Sequence, residues 1–332
     1  MATRVGVNGF GRIGRLFVRH VIASGIDDLD IVAINNRRDI NMLAHLLKYD
    51  SVQGPYPGTV TVDGETLVVD GKRIDSIQHD IGATPWGELG IDLVVEATGA
   101  FNAREDASRH LANGARKVLL TAPGKDPDVT ICLGVNEEAY DKERDHIVSN
   151  ASCTTNCLAP VAKVLDDAFG IVRGFMTTIH AYTGDQRLVD SSHKDLRRSR
   201  AAAVSIIPTT TGAAKGIGRV IPDLAGKLDG IAMRVPVPAG SATDLVTELA
   251  VEASADEVNA AMRSAAESDR FKGILEYTED PIVSADIVHN PHSAIFDGLL
   301  TMSSGRLVKT IAWYDNEWGY ACRTVEVAQR LL

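Results

Sequence analysis

Cys153 stands in a run of small polar residues, Ser149-Asn150-Ala151-Ser152-Cys153-Thr154-Thr155-Asn156-Cys157. Apolar residues at helical spacing begin directly behind it. Leu158, Val161, Val164 and Leu165 recur up to Phe169, and Gly170 ends the run. Ser152 is a natural N-cap. Cys153 then falls on the first helical turn, among free backbone N–H groups and the positive end of the dipole. Such a place favours a thiolate near neutral pH, and a thiolate is a nucleophile. The alternative is a buried, inert cysteine. The second group is His180, which ends the strand-like run Phe175-Met176-Thr177-Thr178-Ile179. If it meets Cys153 in space, the two form a thiolate–imidazole pair. Otherwise it is a plain surface or core histidine. Cys153 and Cys157 are four residues apart, but no metal is expected at this pair.

A third element handles phosphate. Arg4-Val5-Gly6-Val7-Asn8 reads as a short buried strand. Gly9-Phe10-Gly11-Arg12-Ile13-Gly14 follows at once, and Leu16, Phe17, Val21 and Ile22 then keep helical spacing. Strand, glycines and helix in that order predict a dinucleotide site. Gly9 permits the turn, Gly11 admits a pyrophosphate to the backbone, and Gly14 lets helix and strand pack closely. The helix N-terminus then faces the phosphates.

The motif expects an acidic residue at the end of the second strand, Asp30–Asn35, to hold the adenine ribose. This chain has Asn36 there, followed by Arg37 and Arg38. A neutral amide does not repel a 2′-phosphate, and a guanidinium can pair with one. The alternative is a solvated loop. In open parallel sheets ligands lie at the carboxyl ends of strands. Thr98 and Gly99 follow one buried strand and Thr121 another, so they are candidate nicotinamide-side contacts.

These groups need two kinds of scaffold. Up to about residue 150, buried strands alternate with helical patterns, near 39–47 and 103–112, and residues 58–77 read as small antiparallel strands. Beyond Cys153 the runs are long and β-rich, at 171–181, 229–237, 243–250 and 307–314, with one helix near 255–267. The reading is an α/β chain of two domains. A Rossmann-type, doubly wound parallel sheet over 1–152 is completed by a C-terminal helix at 316–332. An α+β catalytic domain with a mostly antiparallel sheet spans 153–315.

Composition agrees. With 332 residues and 45% hydrophobic content, two real cores are affordable. The net charge of −10 disfavours nucleic acid as a partner. No apolar run reaches membrane-spanning length, so a cytoplasmic protein without membrane contact is expected. Four cysteines are too few for a disulfide scaffold.

The motifs SNASCTTNC, TTIHAYT, NGFGRIGR, HLLKYDS (45–51), HKDLRR (193–198), SIIPTTTGAAK (205–215), MRVPVP (233–238) and WYDNEWGY (313–320) run through the whole chain in order. Together they resemble the phosphorylating glyceraldehyde-3-phosphate dehydrogenases. The resemblance implies that Cys153 is the nucleophile and His180 its base. It implies that Thr183 and Arg234 hold the substrate's own phosphate. Ser152, Thr154, Thr211 and Gly212, with Arg198, would hold inorganic phosphate, although Arg197 stands beside Arg198. Arg12, Ile13, Thr121 and Asn316 match cofactor contacts. The implied reaction oxidises glyceraldehyde 3-phosphate through a hemithioacetal and a thioester, which inorganic phosphate releases as 1,3-bisphosphoglycerate. Nicotinamide is reduced in the process.

In the resembled family the charged loop at 184–204 packs between subunits, which implies a homotetramer. Two departures bear on the cofactor. Asn36 replaces the usual Asp of NAD users, and Ser191-Ser192 stand where a Pro is usual. Ser192 offers a hydroxyl, as in NADP-using members. NADP is therefore expected to be accepted and preferred, with NAD as a slower alternative. Erythrose-4-phosphate dehydrogenase and a non-catalytic binding protein on the same fold remain competing readings. His180-Ala181-Tyr182-Thr183 and the intact Cys153/His180 pair favour the first.

Overall fold

Residues Thr3–Asn8 form β1, an apolar strand that is buried from Val5 onward. The computed structural model describes residues 2–332. Gly9 follows β1 with a φ of +96°, which a side chain rarely adopts. The turn feeds α1 (Arg12–Ala23), which buries Leu16, Phe17, Val18, Val21 and Ile22. A Cβ on Gly14 would lie 2.2 Å from the Gly9 carbonyl oxygen, so only glycine lets this helix start so close to the strand end. Around Gly11 there is open space instead, which leaves the backbone accessible.

The remaining elements of the first unit are β2 (Leu29–Asn35), α2 (Ile40–Lys48), β3 (Val60–Asp63), β4 (Thr66–Val69), β5 (Lys72–Ile77), β6 (Leu93–Glu96), α3 (Arg104–Ala112), β7 (Lys117–Leu120), β8 (Val129–Thr130) and β9 (Ile147–Ser149). They form one nine-stranded sheet in the order β3-β4-β5-β2-β1-β6-β7-β9-β8. From β5 to β8 all neighbours are parallel; β3, β4 and β5 form an antiparallel meander at one edge. This is the doubly wound sheet expected of the sequence, with β1 central. The unit comprises Met1–Ile131, Glu137–Ala151 and Ala321–Leu332.

A buried polar cluster fixes the carboxyl ends of β1 and β6. Glu96 is fully buried. Its carboxylate accepts from Asn8 Nδ2 at 2.6 Å, from the Thr98 N–H at 2.8 Å and from the Thr98 hydroxyl. His110 Nε2 lies 3.1 Å away. Trp86 Nε1 donates to His110 Nδ1 at 2.9 Å. Because an indole can only donate, Nδ1 is bare, Nε2 carries the proton and His110 gives it to Glu96. A buried carboxylate with that many donors is satisfied, and it holds Asn8 and Thr98 in place.

The second unit comprises Cys132–Asn136 and Ser152–Tyr320. It contains α4 (Cys153–Phe169), β10 (Ile171–Ala181), β11 (Ile207–Thr210), α5 (Ala213–Val220), β12 (Leu228–Val235), β13 (Ser241–Leu249), α6 (Ala255–Ala266), β14 (Leu275–Thr278), β15 (Ala294–Asp297), β16 (Met302–Ser304) and β17 (Leu307–Tyr314). The strand order is β11-β12-β10-β13-β17-β15-β14, with β16 beside β17. Most pairs are antiparallel; β10 with β12 and β14 with β15 are parallel. α4 packs on β10, β13, β15 and β17 and against α5 and α6. The last helix, α7 (Trp318–Arg330), carries most of its length in the first unit.

The segment 184–204 is a loop, closed by a bridge between Arg187 and Ala201 and ending in a short 3-10 turn at Ala202–Val204. One helix was not anticipated. The sequence pattern allows a single helix between the long strands of the second unit, yet α5 lies there too. Among the described residues no helix is long and apolar enough to cross a membrane.

Candidate active site

Ser152 caps α4, its hydroxyl accepting from the Thr155 N–H at 3.0 Å. Just before it, Ala151 has a φ of +52°, a conformation that costs a non-glycine residue energy and clusters at functional sites. The entry to α4 is thereby fixed, and Cys153 occupies the first helical position. His180 lies near the end of β10, and its register partner on the parallel strand β12 is Arg234. Register partners leave a sheet on the same face, so the imidazole and the guanidinium stand side by side. Here that is the face α4 covers. Cys153 Sγ lies 3.6 Å from His180 Nε2, and Arg234 Nη1 lies 2.5 Å from His180 Nδ1. Thiol, imidazole and guanidinium are thus one contiguous cluster.

Supporting bonds come from Tyr314, Thr178 and Ser241, which the sequence did not single out. Tyr314, fully buried, sits edge-on to the His180 ring at 6.0 Å. Its hydroxyl lies 2.8 Å from that of Thr154 and 2.9 Å from that of Thr178. Thr154 therefore spends its hydroxyl on Tyr314. Ser241 accepts from the Ala181 N–H at 3.0 Å and donates to Asn316 Oδ1 at 2.8 Å. Asn316 is thus tied to the His180 end of β10. The signal for Tyr314 was its place at the end of an alternating strand, next to Asp315 and Asn316.

Electrostatic effects at Cys153 oppose one another. The helix N-terminus predicts a lowered thiol pKa for Cys153. Instead burial pushes the thiol up, against the opposing pull of Arg234 and of bonds to Thr154. Part of the Cys153 surface remains open, so burial is incomplete. Burial, and then the Arg234 charge, push His180 down to about 3. Cys157 is buried beside Thr243, and its thiol rises to about 12, which makes it unreactive.

Arg198 is the arginine turned inward. Its Nε donates to Thr209 Oγ1 at 2.9 Å and its Nη1 to Asp185 at 2.5 Å. Arg197 is exposed. Thr211 accepts from the Ala213 N–H at 3.2 Å and Gly212 caps α5, so both stand at the start of the unanticipated helix. Thr183 donates its N–H to Gln186 Oε1 at 3.1 Å, two residues beyond β10.

In the first unit, a cleft of about 420 Å³ opens at the carboxyl ends of β1, β2 and β6. Gly9, Gly11, Asn36, Arg37, Arg38 and Thr98 are among its lining residues. Arg12, on the first turn of α1, pairs with Asp50 at 2.5 Å, with Ile13 beside it. Arg37 pairs with Asp80 at 2.7 Å, and both side chains are about four-fifths exposed. Asn36 accepts from the Arg38 N–H at 2.9 Å. Gly99 has a φ of +72° and Thr121 bonds the Glu96 carbonyl at 3.0 Å. Ser192 is exposed, and its carbonyl accepts from Arg187.

A Rossmann unit with a glycine turn, in one chain with a thiol–imidazole cluster, defines an NAD(P)-dependent oxidoreductase. The family model described as "Glyceraldehyde 3-phosphate dehydrogenase, NAD binding domain" matches residues 3–104, and the C-terminal domain model of the same family matches 152–316. The chain is 57% identical over 329 residues to glyceraldehyde-3-phosphate dehydrogenase of Streptomyces coelicolor, covering 98% of each chain. It is 55% identical over 330 residues to that of Geobacillus stearothermophilus, covering 99% of this chain and 98% of the relative. Against the Mycobacterium tuberculosis protein of the same name, identity is 55% over 333 residues, with 98% of each chain covered. The chain belongs to the glyceraldehyde-3-phosphate dehydrogenase family.

Proposed function

We propose that this chain oxidises glyceraldehyde 3-phosphate to 1,3-bisphosphoglycerate with inorganic phosphate and NAD(P). The observation that carries this reading is the Cys153–His180–Arg234 cluster, with sulfur 3.6 Å from Nε2. Cys153 sulfur attacks the aldehyde carbon, and His180 takes the hydroxyl proton of the resulting hemithioacetal. The hydride goes to the nicotinamide and leaves a thioester. The Cys153 backbone N–H, on the first turn of α4, is placed to stabilise the oxyanion. Phosphate oxygen then attacks the thioester carbon and thiolate leaves. Arg234 and Thr183 hold the substrate's phosphate. Arg198, Ser152, Thr154, Thr211 and Gly212 hold the attacking one, with guanidinium bonds to phosphate as the strong contacts. Product formation with and without inorganic phosphate tests this reading, because erythrose-4-phosphate oxidation to a free acid would not require it.

For the cofactor, Asn36 leaves no carboxylate to repel a 2′-phosphate, and Arg38 lines the same cleft unpaired by any acid among the described residues. Arg37 would first have to leave Asp80, an exposed pair of little strength. A charged hydrogen bond to the phosphate is worth about 1.5–3 kcal/mol, or roughly tenfold in preference. NADP is expected to be preferred, and Asn36→Asp with Arg37→Leu to restore NAD. A kcat/KM for NAD far above that for NADP in the wild-type chain would refute it.

The assembly is proposed to be a cytoplasmic homotetramer. On β10 and β12, Phe175 (75% exposed) and Ile231 (44%) point away from the His180 face. On the 184–204 loop and just past it, Leu188, Val189, Leu196 and Ile206 are each at least two-thirds exposed. Exposed large apolar side chains on these two segments support a subunit interface. Light scattering at micromolar concentration should give four times the chain mass; a fully active monomer would overturn the assembly.

A further inference from the structure

In the first unit β5, β2, β1, β6 and β7 lie side by side and parallel, so their carboxyl ends share one edge. Side chains tie those ends together. Just past β5, the His79 backbone is clamped by Asn35 at the end of β2. Its N–H donates to Asn35 Oδ1 at 2.9 Å, and its carbonyl accepts from Asn35 Nδ2 at 3.0 Å. That fixes which way the Asn35 amide faces. The same Nδ2 donates to Asn8 Oδ1 at 2.8 Å, at the end of β1, so Asn8 is left with its own Nδ2 facing Glu96 on β6. The Glu96 carbonyl in turn accepts from Thr121, next to β7. A second chain of donors runs from the Trp86 indole through His110 to the same carboxylate. A third starts at the Ala100 N–H, which donates to the Thr98 hydroxyl at 3.1 Å; Thr98 gives its own proton to Glu96. With the Thr98 N–H, four donors meet the two carboxylate oxygens. Each chain begins at a group that can only donate, so no member can turn over without leaving a partner unmet. Only a group that accepts at every position closes all three.

We propose that Glu96 is a positioning residue for the nicotinamide half of the cofactor. It is fully buried and acts through its partners rather than by contact. Asn8, Thr98 and Ala100 all line the cleft, and all belong to chains that stop at Glu96. The proposal rests on the assignment of Thr98 and Thr121 to the nicotinamide side. The adenosine side has an anchor of its own, because Asn35, which precedes Asn36, Arg37 and Arg38, keeps its clamp on His79 whatever stands at position 96. Removing the carboxylate is therefore felt by one half of the nucleotide. In Glu96→Gln one oxygen becomes an amide nitrogen that confronts two donors. Asn8 cannot answer by turning over, since Asn35 Nδ2 would lose its acceptor. The turn from Ala97 to Ala100 is then released at the nicotinamide end of the cleft.

The test uses the full chain with two probes, NAD and ADP-ribose, which lacks only the nicotinamide ring. By titration calorimetry, Glu96→Gln should bind NAD about tenfold or more weakly, as a buried donor left unmet would cause, and ADP-ribose within about twofold of the wild type. Hydrogen exchange on the nucleotide-free protein supplies a second readout. The Thr98 and Ala100 amides should exchange faster in the variant, whereas those of Val5 and Val7 in β1 should not. His110→Leu removes one donor from Glu96 without touching the cleft and should repeat both effects. His110→Gln offers a donor to Glu96 and an acceptor to Trp86 and should restore the wild-type values. If Glu96→Gln does not fold, the two His110 variants carry the same comparison. An equal fall for NAD and ADP-ribose, with faster exchange confined to Thr98 and Ala100, would remove Thr98 from the nicotinamide side. The same fall with faster exchange throughout β1 would make Glu96 a support of general stability only. Either result, or an unchanged affinity for NAD, overturns the proposal.

Discussion

Cys153→Ser is expected to abolish aldehyde oxidation while nucleotide binding survives. The hydroxyl would occupy the same first helical position, 27 residues before His180 in sequence and in contact with it. An alcohol has no anionic form within reach of neutral pH, however, and the thioester that phosphate must attack could not form. The loss should appear in the first turnover as well as the steady state, because hemithioacetal formation precedes hydride transfer. Fluorescence titration with the nucleotide checks that the variant is folded. Near-normal turnover would remove Cys153 from the mechanism. In the wild type, iodoacetate should modify Cys153 before the other three cysteines, since Cys132, Cys157 and Cys322 are at most 1% exposed. Uniform labelling of all four would contradict the assignment.

His180→Asn is expected to slow hydride transfer by roughly 10²–10⁴-fold. Asparagine can still hydrogen-bond, so the packing of β10 against Tyr314 is little disturbed, but it cannot take the hydroxyl proton. Substrate KM should move far less than kcat, because the proposed phosphate contacts are Arg234 and Thr183 rather than the ring. A matched fall in affinity and rate would mean that the ring positions substrate rather than moving a proton. Pre-steady-state reduction of the nicotinamide separates the two outcomes.

Much of this site could be read from the sequence because it depends on local rules. A capping serine, a cysteine behind it and apolar residues at helical spacing specify α4 without any knowledge of the rest. Gly9 and Gly14 are legible for the same reason, since a turn and a close approach each admit only glycine. Three things were not legible. α5 carries Gly216 and Gly218 within eight residues, which weakens any helical signal. A Cβ on Gly218 would come within 2.8 Å of Ala225, so the glycine is demanded by a packing contact invisible in the local pattern. The pairing of His180 with Arg234 depends on the register of β10 with β12, strands separated by more than forty residues. The ionisation of Cys153 depends on how much solvent the finished fold admits. A helix dipole can be inferred from sequence, whereas desolvation cannot.

The first unit takes its strands from the beginning of the chain and α7 from its end. Asn150 Nδ2 reaches Thr324 Oγ1 at 3.2 Å, the Tyr140 hydroxyl donates to the Leu331 carbonyl at 2.7 Å, and Gln329 bonds Asp28. On a ribosome the nine-stranded sheet would be complete at Ser149 yet lack this helix until Trp318–Arg330 had been made. At roughly 5–20 residues per second that delay is on the order of ten to thirty seconds. Meanwhile the part of the first unit that later receives α7 would stay open to the cell, whereas the second unit, nearly continuous in sequence, could close first. Nascent chains of this protein are thus expected to need chaperone cover over the half that was made first.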